Sequence, residues 1–121
     1  MKYLLLVHHN EEVLAALASG EIQGMIDESV QLANELHGSR QYLDAGPLHS
    51  TSVAARVCVR DGKRLAIDGP FAETREQVGG YFLIEAGDLR EAIQIAGRIP
   101  GARIGTVEVR PVKDVAGLPA V

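Results

Sequence analysis

The chain has a single cysteine, Cys58, in 121 residues. A disulfide framework or a thiolate zinc cluster needs more than one, so neither is available to hold this fold. Tryptophan is absent and aromatic residues make up 4% of the chain, so a core must be built mainly from aliphatic side chains. Basic residues are outnumbered: 12 Lys+Arg stand against 16 Asp+Glu, a formal net charge of −4. No basic block is left to neutralise phosphates, which argues against direct nucleic-acid binding. No apolar run approaches the ~20 residues of a membrane span. The N-terminal run Tyr3-Leu4-Leu5-Leu6-Val7 is too short for a signal peptide, has one Lys before it and has no small-residue cleavage site after it. These absences lead to the expectation of a cytoplasmic protein that needs no membrane.

What remains is the make-up of a globular domain. Hydrophobic content is 46% and charged content 23%, far from the composition of disordered chains. The length suits one domain that can bury roughly two-thirds of its unfolded surface.

Tyr3 to His8 is apolar on both alternating faces, which predicts a strand covered on both sides. Asn10 is placed to cap a short helix over 11–19, with Gly20 as its stop. Ile22, Met25, Ile26, Ser29, Leu32, Ala33 and Leu36 recur at three- and four-residue steps, predicting a long helix over 22–37 that ends at Gly38. Gly46-Pro47 reads as a turn. Val53 to Arg60 and Lys63 to Asp68 flank Asp61-Gly62, a strong hairpin signal. A charged loop follows Asp68-Gly69-Pro70. Thr74 and Gln77 have capping-box spacing, with room for about one helical turn. Tyr81 to Glu85 predicts a strand, Asp88 caps a helix that Pro100-Gly101 ends, and Thr106 to Arg110 predicts the last strand. Residues 113–121 show no period and form a tail outside a 1–112 domain.

The order reduces to βαββαβ with an extra hairpin: an α+β fold with an antiparallel sheet and helices on one face. Two helices cover only one face of a sheet whose strands are apolar on both. A homodimer with the two sheets packed face to face is therefore expected.

One segment is distinctive: Asp68-Gly69-Pro70-Phe71-Ala72-Glu73-Thr74-Arg75-Glu76-Gln77-Val78-Gly79-Gly80-Tyr81-Phe82-Leu83-Ile84-Glu85. It resembles the signature of the DGPF-type proteins of the YCII-related family. The likeness extends to Met1-Lys2-Tyr3-Leu4-Leu5-Leu6, Ala45-Gly46-Pro47-Leu48, Val59-Arg60-Asp61-Gly62-Lys63, Arg98-Ile99-Pro100 and Gly105 to Val112. It departs over residues 19–40. The resemblance implies a ferredoxin-like dimeric α+β barrel but no single reaction. It also implies a possible partner, since DGPF proteins are often encoded beside, or fused to, extracytoplasmic-function sigma factors. Related YCII proteins carry a His–Asp pair in a cleft. Counting back from Ala45-Gly46-Pro47, that histidine falls near Ser29, so the pair is incomplete in this chain.

Asp68 is the first candidate for chemistry, as an acid or base at a pocket, although an Asp before Gly-Pro commonly serves in an Asx-turn. Glu73, Arg75 and Glu76 lie in a loop beside Phe71. A carboxylate under an apolar lid can act as an acid or base, and an Arg can clamp a carboxylate, whereas each alone reads as a solvated surface charge. His37 at a helix end complements the dipole or partners a carboxylate. His8 shares the Leu4/Leu6 face and can reach a barrel mouth as a base, while His9 points the other way. Tyr81 can line a ligand cavity or pack in the core. Cys58 lies between Arg56 and Arg60 on one strand face, with no histidine at a telling spacing.

The candidate set is thus Asp68, Glu73, His37 and His8 for catalysis, with Phe71, Arg75 and Tyr81 for binding. No metal and no cofactor is expected. Two functions fit. One is small-molecule binding in the barrel cavity, with cofactor-free acid/base catalysis as an extension. The other is a ligand-sensing module acting with a sigma factor.

Overall fold

The computed structural model describes residues 1–72 and 74–121. Strands β1 (Lys2–His9), β2 (Tyr42–Pro47), β5 (Gln77–Glu85) and β6 (Thr106–Pro111) form one antiparallel sheet in the order β2-β5-β1-β6. Strands β3 (Ala55–Arg60) and β4 (Lys63–Asp68) form a separate hairpin. Helices α1 (Glu11–Ala15), α2 (Ser19–Gly38) and α3 (Leu89–Ala96) complete an α+β fold. The four-stranded sheet is open and does not close into a barrel within one chain.

Alternation along β1 decides which side is the core. Tyr3, Leu5 and Val7 are buried, and they pack with Phe82 and Ile84 of β5, Leu32 and Leu36 of α2, and Ala92, Ile95 and Ala96 of α3. Both long helices therefore cover the same face. Leu4, Leu6 and Leu83 lie on the opposite, open face and stay half-buried.

Several local expectations change. Asn10 caps α1, its side chain accepting from Glu12 N at 2.9 Å, but the helix ends at Ala15 and Gly20 lies inside the first turn of α2. Gly38 does not take the left-handed position at the end of α2. Arg40 does, with φ 62°, and Gln41 N donates to Leu36 O at 2.7 Å while Arg40 N donates to His37 O at 3.1 Å, closing a Schellman motif. Gly46-Pro47 is the end of β2 and not a turn. An edge strand accepts proline because its outer N–H side needs no partner. Thr74 and Gln77 bond locally, Thr74 to Glu76 O and Gln77 to Thr74 O, without forming a helix, and β5 begins at Gln77.

Other expectations hold. Asp61 and Gly62 both have positive φ, 51° and 73°, as a two-residue hairpin turn requires. Asp88 Oδ1 accepts from Glu91 N at 2.9 Å to cap α3. The end of that helix does not hold: it stops at Ala96 with Gly97 as its cap, short of the Pro100-Gly101 stop the sequence suggested, and Pro100 instead opens a 3-10 turn at Pro100–Arg103. A Cβ on Gly101 would sit 2.5 Å from Val7 Cγ1, so glycine lets this turn lie directly on β1.

Candidate functional site

Helix α2 is fastened to the sheet at one end only. Its buried residues, Leu32 and Leu36, are in the C-terminal half, while Ile26 and Val30 remain about half exposed. The other half stands away from the sheet and leaves a cleft of about 820 Å³. Ile22, Met25, Ile26 and Ser29 form one wall, and Val7, Gly80 and Phe82 form the floor. Leu14 of α1 and the Pro100-Gly101 turn border its ends. The volume falls within the roughly 300–1,000 Å³ of small-molecule sites, and the lining is predominantly apolar, as such sites require.

The polar groups at the cleft are few. His9 follows Tyr3, Leu5 and Val7 onto the helix side of β1. Its ring lies across Gly79, where a Cβ would come within 1.9 Å of His9 Cε1. The β1–β5 register shifts between Val7 and His8, skipping Gly79. This bulge gives the imidazole its place. His37 stands at the far end, edge-on to Tyr42 with ring centroids 6.4 Å apart. His49, Ser29 and Asn34 also border the space. The Ser29 hydroxyl is already used, donating to Met25 O at 2.9 Å.

Glu11 is the one carboxylate at the cleft among the described residues. Its Oε1 accepts from Thr51 N at 2.7 Å, and its Oε2 accepts from Thr51 Oγ1 at 2.9 Å and Ser50 Oγ at 3.1 Å. The Thr51 N–H is the chief reason that its pKa lies below the ordinary glutamate value; partial burial opposes it and the two hydroxyls assist it. Glu11 thus stays ionised and staples α1 to the turn Thr51–Val53 that leads into β3.

Glu11 and Ser50 also border a second, more polar pocket of about 450 Å³. Asp68, Gly69, Pro70, Thr74 and Gln77 complete much of its rim. No hydrogen bond to the Asp68 carboxylate occurs among the described residues, so it forms no Asx-turn. The backbone closes the hairpin base instead, with Gly69 N donating to Ala54 O at 2.7 Å.

The expected site residues are distributed over several places. His37 is at the cleft and Asp68 at the adjoining pocket. His8 is on the open face of the sheet, its Nε2 3.1 Å from Glu108 Oε1. Tyr81 borders the cleft, but its hydroxyl donates to Asp44 Oδ2 at 2.7 Å, which raises the phenol pKa and keeps it protonated. Phe71 is 88% exposed and borders neither pocket, and Arg75 is exposed. Glu73 lies outside the described residues. Among the described residues, no three His, Cys, Asp or Glu side chains are grouped to hold a metal ion, and no helix is long and apolar enough to cross a membrane.

His9 and Glu11 were not singled out by sequence reasoning. Simple alternation already put His9 on the face of Leu5 and Val7. Nothing local to Glu11 announced its partners, which lie forty residues away.

The family model for the YCII-related domain matches residues 1–116. The chain belongs to the YCII-related family. The matched region runs four residues beyond Val112, where the patterned sequence stops. This YCII-related protein is also 32% identical over 119 residues to an uncharacterised protein of Rhizobium meliloti (strain 1021), an alignment covering 92% of this chain and 91% of the relative.

Proposed function

We propose that this YCII-related protein binds a small, largely apolar molecule in the cleft between α2 and the sheet. The carrying observation is the cleft itself: about 820 Å³, mostly apolar, with three imidazoles spaced around it. Among the described residues no Lys or Arg lines it, and the one carboxylate is saturated by Thr51 and Ser50. A phosphorylated or multiply anionic ligand would lose its hydration without gaining a cation, which is costly. The ligand class is therefore an uncharged molecule, aromatic or alicyclic, whose few polar atoms meet His9, His37 or His49. Neutral imidazole both donates and accepts, so it serves carbonyl and hydroxyl groups alike.

Asp68 is the acid/base candidate for any turnover, because its carboxylate is free of hydrogen bonds among the described residues and its pocket shares a wall with the cleft. Ser29 stands near the position matched to the family histidine, and its hydroxyl is committed to its own helix. Chemistry by a His–Asp pair is thus replaced, in this reading, by binding with Asp68 alone in reserve. The same reading includes a second copy, docked on the open face through Leu4, Leu6 and Leu83, with His8 and Glu108 inside the resulting dimeric barrel.

The test is a thermal-shift screen of neutral aromatics, lactones and quinones beside carboxylates and phosphates. Wild type, Ser29→Phe and Asp68→Asn are run in parallel. A ligand at 100 times its Kd stabilises by about 2.7 kcal/mol. Neutral compounds are expected to stabilise wild type and Asp68→Asn but not Ser29→Phe, whose ring fills the cleft. A hit that survives Ser29→Phe, or a panel with no hit, overturns the cleft reading. The latter result moves the weight to a sigma-factor partner.

A further inference from the structure

The hairpin β3–β4 touches little of its own chain. It shares no strand pairing with the main sheet, and its exposed side chains include Val57 (64%), Val59 (61%), Leu65 (43%) and Ile67 (44%). The cross-strand register puts Val57 and Val59 on one face and Leu65 and Ile67 on the other, so both faces carry bare apolar surface. A lone two-stranded ribbon in water is marginally stable at best. Its orientation is nonetheless fixed at the base, where Gly69 N bonds Ala54 O and Glu11 holds the turn before β3. The ribbon therefore stands off its own body and awaits a surface.

Charge identifies that surface. Residues 55–68 hold four of the 12 Lys+Arg and two of the 16 Asp+Glu, so the hairpin carries +2 and the rest of the chain −6. Arg60, Lys63 and Arg64 cluster around the tip, and none of them is in an ion pair among the described residues. The opposite condition holds over residues 11–38, the α1–α2 layer, which has six Asp+Glu and no Lys or Arg. Glu28 and Glu35 are paired with Arg103 and Arg98, and the Glu11 carboxylate, still charged, is occupied by its hydrogen bonds from Thr51 and Ser50. Glu12, Glu21 and Asp27 have no ion-pair partner among the described residues. The same layer exposes Val13, Ile26 and Val30.

We propose that the β3–β4 hairpin is an arm that packs on the α1–α2 surface of a second copy of this chain, over the mouth of that copy's cleft. Val57 and Val59 meet Ile26 and Val30 together with Arg64 of the same face, while Arg60 and Lys63, paired on the other face beside the tip, reach Glu21 and Asp27 around the end of the hairpin. Strands of six residues extend ~20 Å, enough to pass a sheet layer ~10 Å thick. The cleft is then completed by a neighbour, which supplies the water exclusion that one chain lacks. The proposal rests on the two-copy assembly above.

The experiment mixes isotope-heavy and light copies of the full chain and couples Lys63 to carboxylates with a zero-length carbodiimide. Heavy–light peptides joining Lys63 to Glu12, Glu21 or Asp27 are expected. Joined peptides of a single isotope only would mean that the arm folds onto its own copy, and no such peptide would mean that it docks elsewhere. Either result overturns the proposal. Sedimentation separates the two readings. The triple variant Arg60→Glu, Lys63→Glu, Arg64→Glu is expected to raise the dimer Kd at least tenfold, with recovery when Glu21→Lys and Asp27→Lys are added. Unchanged dimerisation of the triple variant overturns the arm but leaves the sheet-face dimer standing. A monomeric wild type overturns both.

Discussion

Replacing Glu11 with alanine removes three hydrogen bonds at once, from Thr51 N, Thr51 Oγ1 and Ser50 Oγ. Bonds to a charged acceptor are worth about 1.5–3 kcal/mol each when buried, but Glu11 is only partly buried and water can replace some of them. The expected loss is about 1–2 kcal/mol in total, close to that of a helix cap. Because the folded-state pKa of Glu11 is lowered, its contribution is fully present above the ordinary glutamate range. It is lost as pH falls through the depressed folded value. Urea melts of wild type and Glu11→Ala at neutral and acid pH check both points: the gap between the two curves should be present near pH 7 and shrink in acid. A gap that is absent at neutral pH, or equally large in acid, refutes the staple. Amide exchange should also rise at Thr51 and Ser52, since the turn leading into β3 loses its anchor.

Two further predictions concern the frame around the site. Leu5→Ala, at a position 0% exposed between β5 and β6, is expected to cost about 3 kcal/mol or more by chemical denaturation, and a loss under 1 kcal/mol would mean that the core is misplaced. Arg40→Gly relieves a left-handed residue at the C-terminus of α2 and is expected to stabilise by about 1 kcal/mol, seen as a higher Tm.

Strands β1, β5 and β6 and both long helices were legible because their signals are local, whereas β2 was not read as a strand and the β3–β4 hairpin stands apart from the sheet it was expected to join. Alternation in Tyr3–Val7, the three- and four-residue steps of Ile22–Leu36, the Asp61-Gly62 turn and the Asp88 cap each depend on neighbours within one element. The misplaced features depend on geometry between elements. Pro47 reads as a turn until its edge position is known, and Gly38, where the helix does end, reads as the left-handed cap until Arg40 is seen to take that position. The site was less legible for the same reason. Asp68 and His37 drew attention by residue type, yet His8 and Tyr81 have their polar atoms committed to Glu108 and Asp44. His9 depends on a bulge at Gly79, and Glu11 on a turn forty residues on, neither of which a linear pattern displays.

The most direct measurement is an amide chemical-shift map of the isotope-labelled protein with and without the first stabilising compound. Ligand in the cleft predicts the largest shifts at Ser29, Ala33, Gly79, Gly80 and Gly101, which border it. Shifts concentrated instead at Leu4, Leu6, Leu83 and Glu108 would place the ligand on the open face of the sheet and contradict the cleft as the functional site.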